Sequence, residues 1–188
     1  MRLFIAVWVE EELRQAVAGF LEVMSQQAEG IKWTPPEQLH FTLKFLGEQR
    51  SELVKELCPV LAEAGRQESG FLLSLGKGGV FPRWQGPRIL WLGLDQGDKE
   101  LRSLAQRISQ GIADKGVLSA EHAKEKRSFS PHLTIGRVKG SAPVFNRLLL
   151  TGGVRGSMTV DSFSLVESLL TPQGPVYKEI QRFSLSRS

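Results

Sequence analysis

The sequence predicts an α+β fold of two similar lobes that face each other across a groove. Segments with helical spacing alternate with β-type runs, and the neighbouring runs look like antiparallel strand pairs. A short sequence motif that begins with histidine occurs at His40 and again at His132. The two copies are 92 residues apart, which is about half the length of the chain. We expect residues 1–188 to form one bilobal domain, with two pseudo-symmetric antiparallel sheets backed by helices and a central cleft.

The first half of the chain alternates strands with helices and then adds a strand pair. Apolar residues recur with helical spacing over residues 13–24 and again from 53 to about 64. The Gly/Pro-rich stretch 76–87 predicts a turn region between the last two strands. The predicted strands are residues 2–9, 39–46, 71–75 and 88–94.

The second half repeats this pattern. Residues 101–112 have helical spacing, and the Lys-, Glu- and Arg-rich segment 115–128 is predicted to be a mobile exposed loop. Residues 144–150 form a short apolar segment. The predicted strands of this half are residues 129–138, 158–166 and 176–185.

Composition limits the class of protein. The chain has 188 residues, of which 41% are hydrophobic and 23% charged, which excludes disordered and fibrous proteins. The net charge of +4 favours anionic ligands such as phosphates or RNA. With one cysteine, Cys58, no signal peptide and no apolar run of roughly 20 residues, we expect a cytoplasmic protein that does not enter a membrane. We expect a monomer.

Two of the three histidines begin the same four-residue pattern. Side chains of a strand alternate between its faces, so the histidine and the threonine of each pattern point to one face and the apolar residues to the other. Each strand therefore presents an imidazole and a hydroxyl together. The two patterns are His40-Phe41-Thr42-Leu43 and His132-Leu133-Thr134-Ile135.

Two imidazoles and two hydroxyls in one groove suit displacement at phosphorus. An imidazole has a pKa near 6.5, so one ring can act as base while the other, protonated, acts as acid; the residues leave open which is which. The hydroxyls of Thr42 and Thr134 can donate to the phosphoryl oxygens. Arg137 falls on the opposite face of an ideal strand, and it reaches the phosphate only if the strand ends or twists near Gly136.

The chain resembles the 2H phosphoesterases, and among them the RNA 2′,3′-cyclic phosphodiesterases once called 2′-5′ RNA ligases. The resemblance implies a bilobal fold and metal-independent, cofactor-free opening of a 2′,3′-cyclic phosphate at an RNA 3′ end to a 2′-phosphomonoester. It implies that the histidines are acid and base, that the threonines and Arg137 hold the phosphate, and that Phe45 and Phe129 frame the base or ribose. The matching positions are residues 2–6, Trp33, 40–47, 87–93, 131–137, Ser168, Gly174 and Tyr177.

Three alternatives remain open at this point. The same residues could join RNA ends through a 2′-5′ linkage, because every step of the hydrolysis can run backwards. The groove could also belong to a non-catalytic module that binds RNA ends or nucleotides. The aromatic residues Phe45 and Phe129 could be core rather than stacking residues, and His122, in the charged segment, is predicted to be merely solvated.

Overall fold

The computed structural model describes residues 1–118, 129–140, 143–172 and 174–187. His122 and most of the predicted mobile loop lie outside these ranges. The helices are α1 (Glu11–Gln26), α2 (Leu53–Arg66), α3 (Asp98–Asp114) and α4 (Arg147–Gly152), with a 3₁₀ turn at Pro36–Gln38. The strands are β1 (Arg2–Trp8), β2 (Ile31–Trp33), β3 (His40–Glu48), β4 (Phe71–Phe81), β5 (Ile89–Gln96), β6 (Leu133–Val138), β7 (Ser157–Val160), β8 (Ser162–Thr171) and β9 (Gly174–Ser184).

The strands of the described residues form one antiparallel sheet in the order β7-β4-β5-β6-β3-β1-β8-β9, with β2 added beside β6. The order is symmetric about its centre: β6 and β3 are the middle strands, and three strands follow on each side. The predicted α+β class with two antiparallel lobes is confirmed, and the two lobes are joined into one sheet where Phe41 of β3 pairs with Leu133 of β6.

One face of the sheet carries the main core. Alternate residues of β1, namely Leu3, Ile5 and Val7, are buried there with the apolar sides of the helices. Helix α1 contributes residues at the predicted helical spacing, from Leu13 to Met24. None of the helices that the structure describes is both long and apolar enough to span a membrane.

The other face, which we call the open face, carries the second set of alternate residues of β1. Phe4, Ala6 and Trp8 form a small cluster with Val166 and Tyr177 on this face. Because His40 and Thr42 of β3 lie opposite Trp8 and Ala6, the first pattern is presented on the open face.

The prediction of a turn over residues 76–87 is wrong in its first half, because β4 continues to Phe81. Its glycines allow close packing inside a strand. A Cβ at Gly78 would lie 2.4 Å from the carbonyl oxygen of Leu150, and one at Gly79 would lie 2.5 Å from the Trp91 ring. The longer strand brings Phe81 to the second histidine.

Other boundaries also differ from the prediction. The strand expected from residue 129 begins at Leu133, since Pro131 has no N–H to donate to a ladder. The strand expected over 158–166 is divided at Asp161 into β7, which pairs with β4, and β8, which pairs with β1. The apolar segment 144–150 leads into helix α4, whose first turn is capped by the Asn146 side chain, 2.9 Å from the Leu149 amide. Strand β2 was not predicted.

Candidate active site

The two histidine patterns lie side by side at the centre of the sheet. Since Phe41 pairs with Leu133 in an antiparallel ladder, His40 lies across from Thr134, and Thr42 lies across from His132. Phe41 and Leu133 are fully buried in the main core, whereas the two histidines and two threonines are partly exposed on the open face. The structure thus brings the four polar side chains of the patterns together.

Both imidazoles are oriented by the same kind of hydrogen bond. Nδ1 of His40 lies 2.7 Å from the carbonyl oxygen of Gln38, and Nδ1 of His132 lies 2.7 Å from that of Ser130. A carbonyl oxygen only accepts, so each Nδ1 carries a proton and donates it. Each neutral ring is therefore the tautomer whose Nε2 has a free lone pair, and the same Nε2 becomes a donor when the ring is charged.

His40 lies among three aromatic rings. Its ring centroid is 5.0 Å from that of Phe4, 5.5 Å from that of Trp8 and 5.2 Å from that of Tyr177, the last two edge to face. The pKa of His40 is lowered to about 4, chiefly because a charged imidazole loses its hydration on burial, with smaller contributions from the positive charges of Arg137 and His132. The ring is therefore neutral at neutral pH.

His132 has a similar but less enclosed environment. Its ring packs edge to face against Phe81, with 5.0 Å between the centroids. Burial and the charge of Arg137 lower the pKa of His132 below its usual value of 6.5. The two histidines thus share the same hydrogen-bond geometry and differ in how far their aromatic neighbours cover them.

A β-bulge follows the threonine of each pattern. On β3, Ala6 pairs with Thr42 but Ile5 pairs with Lys44, so Leu43 is an extra residue. On β6, the residue opposite Trp91 is Thr134 and the residue opposite Leu90 is Gly136, so Ile135 is the extra residue. Both bulges fall at the fourth residue of the pattern.

The bulge in β6 decides where Arg137 lies. An unbroken strand would direct Arg137 to the core face, but the extra residue restores it to the face of Thr134, where it lies opposite Ile89. Its charge contributes to the lowered pKa of His40 and His132, and it opposes the burial that raises the pKa of Tyr177. The sequence predicts that Arg137 reaches the phosphate only if the strand ends or twists near Gly136. The bulge at Ile135 changes the strand at this place.

Phe45 is the counterpart of Arg137 in the other lobe. It lies five residues after His40, beyond the bulge in β3, and it pairs with Phe4 on the open face. Its side chain is 66% exposed, and its ring centroid is 6.2 Å from that of Phe4. Phe45 therefore offers an uncovered aromatic surface beside His40.

The sequence matches the model of a known protein family. Residues 9–171 match the model of the 2′-5′ RNA ligase superfamily. The chain belongs to that superfamily. It is 35% identical to the RNA 2′,3′-cyclic phosphodiesterase of Archaeoglobus fulgidus over 97% of this chain and 99% of the relative. The predicted family is confirmed.

Solved structures of related proteins have the same fold as this superfamily member over nearly the whole chain. The crystal structure of a Thermus thermophilus protein is similar with a TM-score of 0.80, at 33% identity and covering 98% of each chain. The crystal structure of Escherichia coli LigT complexed with 3′-AMP is similar with a TM-score of 0.72, at 25% identity, covering 98% of this chain and 97% of that one.

Phe129 is partly buried and packs against the main core of this superfamily member, so its role in framing the base or ribose stays a prediction. The ring of Phe81 contacts that of His132. Sequence reasoning did not identify Phe81, Phe4 or Trp8 as site residues. For Phe4 and Trp8 the signal was the strand period, because they alternate with the core residues of β1.

Proposed function

We propose that the protein opens the 2′,3′-cyclic phosphate at an RNA 3′ end to a 2′-phosphomonoester, with His40 and His132 as the acid–base pair and without a metal. The observation that supports this most directly is the pair of equivalent imidazoles. Each donates through Nδ1 to a carbonyl oxygen, which leaves Nε2 for a substrate. The enzyme class agrees with relatives named RNA 2′,3′-cyclic phosphodiesterase, such as that of Archaeoglobus fulgidus.

The reaction needs one proton acceptor and one proton donor on opposite sides of the phosphorus. The neutral histidine takes a proton from water through Nε2 as the water oxygen bonds to phosphorus. The bond from phosphorus to O3′ breaks, and the charged histidine gives its Nε2 proton to O3′. The products are a 3′-hydroxyl and a 2′-phosphate, so the acid must lie beside O3′ and the base beside the water.

Thr42, Thr134 and Arg137 are suited to hold the phosphate while this occurs. The threonine hydroxyls lie beside the two histidines on the open face, and the Arg137 guanidinium adds a charged fork of donors. Charge builds on the non-bridging oxygens as the water attacks, and fixed donors stabilise that charge. The exposed ring of Phe45 offers a surface on which the terminal base can stack.

The pKa values of the histidines predict an acidic optimum for kcat/KM. The active form has one neutral and one charged histidine, so its population is greatest between the two pKa values. The pKa of His40 is about 4 and that of His132 lies below 6.5. We expect kcat/KM, which reports the free enzyme, to fall about tenfold per pH unit above pH 6.5.

The bound phosphate changes this expectation for kcat. Its negative charge stabilises the imidazolium form and raises both pKa values, so the optimum of kcat should lie at a higher pH than that of kcat/KM. Initial rates with a nucleoside 2′,3′-cyclic phosphate from pH 4 to 9 at constant ionic strength measure both. A kcat/KM that keeps rising to pH 8 would contradict the proposed pair.

The decisive experiment identifies the product. A nucleoside 2′,3′-cyclic phosphate is incubated with the protein, with and without EDTA, and the product is identified by phosphorus NMR. We expect the 2′-phosphate to form at the same rate in both samples. A 3′-phosphate product would contradict the proposed regiochemistry, and inhibition by EDTA would contradict metal independence. Binding of the ligand without turnover would instead identify a binding module.

Ligation is tested with the same protein. RNA halves that carry a 2′,3′-cyclic phosphate and a 5′-hydroxyl should be hydrolysed mainly, because water at ~55 M competes with the hydroxyl for the same phosphorus through the same acid–base step. Joined product with a 2′-5′ linkage would show that the 5′-hydroxyl can replace water in bonding to the phosphorus as the bond to O3′ breaks.

A further inference from the structure

A hollow of about 550 Å³ lies beside the site, at the connection between β4 and β5. Two exposed arginines, Arg83 and Arg88, project from its wall. Among the described residues, the remaining lining is apolar or backbone and contains no carboxylate, being formed by Pro82, Gly86, Pro87 and Gly140. A positively charged hollow of this kind suits an anion.

These two arginines differ from six other arginines of the protein. Those six guanidinium groups lie within ion-pair distance of a carboxylate, at Arg14, Arg50, Arg66, Arg102, Arg107 and Arg182. Over residues 1–118, 129–140, 143–172 and 174–187, Arg83 and Arg88 have no carboxylate within ion-pair distance. A guanidinium that no carboxylate neutralises can give both arms of its fork to a phosphate.

The connection is held in place from several sides. The Arg88 amide donates to the carbonyl oxygen of Phe81 at 2.7 Å, and the Arg88 carbonyl oxygen accepts from the Val138 amide at 2.9 Å. Within the connection, Trp84 stacks on Phe145 with 6.4 Å between centroids, and the Arg147 guanidinium lies 4.1 Å from the centre of the Trp84 ring. The hollow is therefore formed before any ligand binds.

Both ends of the connection contact the proposed active site. Phe81, which precedes it, packs against the His132 ring, and Ile89, which follows it, lies opposite Arg137. Gly140 in the hollow follows Arg137 by three residues, which is roughly 10 Å at the rise of a strand. The hollow thus lies within one or a few nucleotides of a phosphate held by Arg137.

We propose that this hollow binds a phosphodiester of the RNA chain on the 5′ side of the cyclic end, and this inference rests on the proposed function. A 2′,3′-cyclic phosphate is the last group of its strand, so the chain leaves the site only in the 5′ direction. Arg83 and Arg88 supply the charge that holds its backbone. The protein is thereby specific for oligonucleotide ends over cyclic mononucleotides.

The test compares two substrates in one double variant. In Arg83→Gln/Arg88→Gln, kcat/KM for a six-nucleotide RNA with a 2′,3′-cyclic end should fall roughly tenfold through KM, as expected for losing charged phosphate contacts. kcat/KM for a nucleoside 2′,3′-cyclic phosphate should stay unchanged. The slope of log kcat/KM against log salt should become shallower for the oligonucleotide, by about 0.7 for each lost phosphate contact.

The matched control is Arg155→Gln/Arg187→Gln, which removes the same charge from exposed arginines away from the hollow. An equal loss in this control would assign the effect to net charge and overturn the proposal. An equal loss for both substrates would overturn it as well, because it would place the arginines at the cyclic phosphate itself.

Binding separates this proposal from the proposed function. The fluorescence anisotropy of a labelled hexamer that ends in a 2′-phosphate needs no turnover. Its Kd should rise roughly tenfold in the Arg83→Gln/Arg88→Gln variant and not in the control. Unchanged binding would refute the subsite even if hydrolysis occurs, and failed hydrolysis of the cyclic mononucleotide by the wild-type protein would refute only the proposed function.

Discussion

Replacing either histidine of the site with alanine is expected to lower kcat for a nucleoside 2′,3′-cyclic phosphate by about 10²- to 10⁴-fold, the range typical of a lost acid or base. His40→Ala removes one proton carrier and His132→Ala removes the other, and each remaining histidine supplies half of the reaction. The double variant should lose little more than the worse single variant, because the two groups act in one step. Steady-state rates of the purified variants measure the effect.

The third histidine offers a matched control. His122 belongs to neither pattern, so His122→Ala should keep the wild-type rate. Because His40 packs among aromatic rings, His40→Ala leaves a gap, and His40→Gln should be measured beside it with thermal unfolding of both. Near wild-type rates in either His40→Gln or His132→Ala would remove the basis of the acid–base pair.

The strand period was sufficient to predict which residues of each pattern share a face. Phe41 and Leu133 are buried in the core, and His40, Thr42, His132 and Thr134 lie on the opposite face as predicted. The alternation of side chains between two faces is a local property of an extended strand, so it can be predicted from the sequence of that strand alone. The repeat of the pattern half a chain later also indicated two lobes, since each lobe contains one strand with the same alternation of polar and apolar residues.

The bulges could not be predicted in this way. A bulge is an extra residue in one strand relative to the strand that pairs with it. It depends on the register between the two strands, so the sequence of one strand does not predict it. Without the bulge at Ile135, Arg137 would belong to the core face. The glycine run in β4 predicts a turn for a similar reason, because the contacts that require Gly78 and Gly79 come from Leu150 and Trp91, which lie elsewhere in the chain.

The aromatic neighbours of the histidines show the same limit. Phe129 is close to His132 in sequence, yet Phe81 reaches the ring from β4, a strand on the far side of β5. Tyr177 reaches His40 from β9. The family resemblance names an aromatic residue near each motif in sequence, whereas the order of strands in the sheet determines which rings contact the histidines.

The symmetry of the two lobes is also incomplete in a way that suits one asymmetric substrate. The positions that follow the two bulges hold Phe45 in one lobe and Arg137 in the other. An exposed ring suits a base, and a guanidinium suits a phosphate. In the proposed reaction, the pseudo-twofold frame would therefore carry two equivalent proton carriers and two different binding groups, as a nucleotide with one base and one phosphate requires.

Replacing Arg137 with glutamine is expected to lower kcat/KM for a nucleoside 2′,3′-cyclic phosphate by about 10²- to 10³-fold, as for the loss of a fixed donor to a developing oxyanion. The same change should move the pH optimum. Arg137 lowers the pKa of both His40 and His132, so its removal raises both values and shifts the kcat/KM profile to higher pH. Arg137→Lys keeps the charge but not the fork, so it should keep the pH profile and recover only part of the rate.

A purely structural role for Arg137 would give a different result. Its side chain is exposed, so its loss should leave the thermal unfolding temperature nearly unchanged, and Arg155→Gln should change neither the rate nor the pH profile. A rate loss with an unmoved pH profile would mean that the guanidinium lies too far from the imidazoles to share a phosphate with them. The two readouts together therefore test whether the bulge at Ile135 delivers Arg137 to the reacting group, because only a guanidinium on the open face can change both.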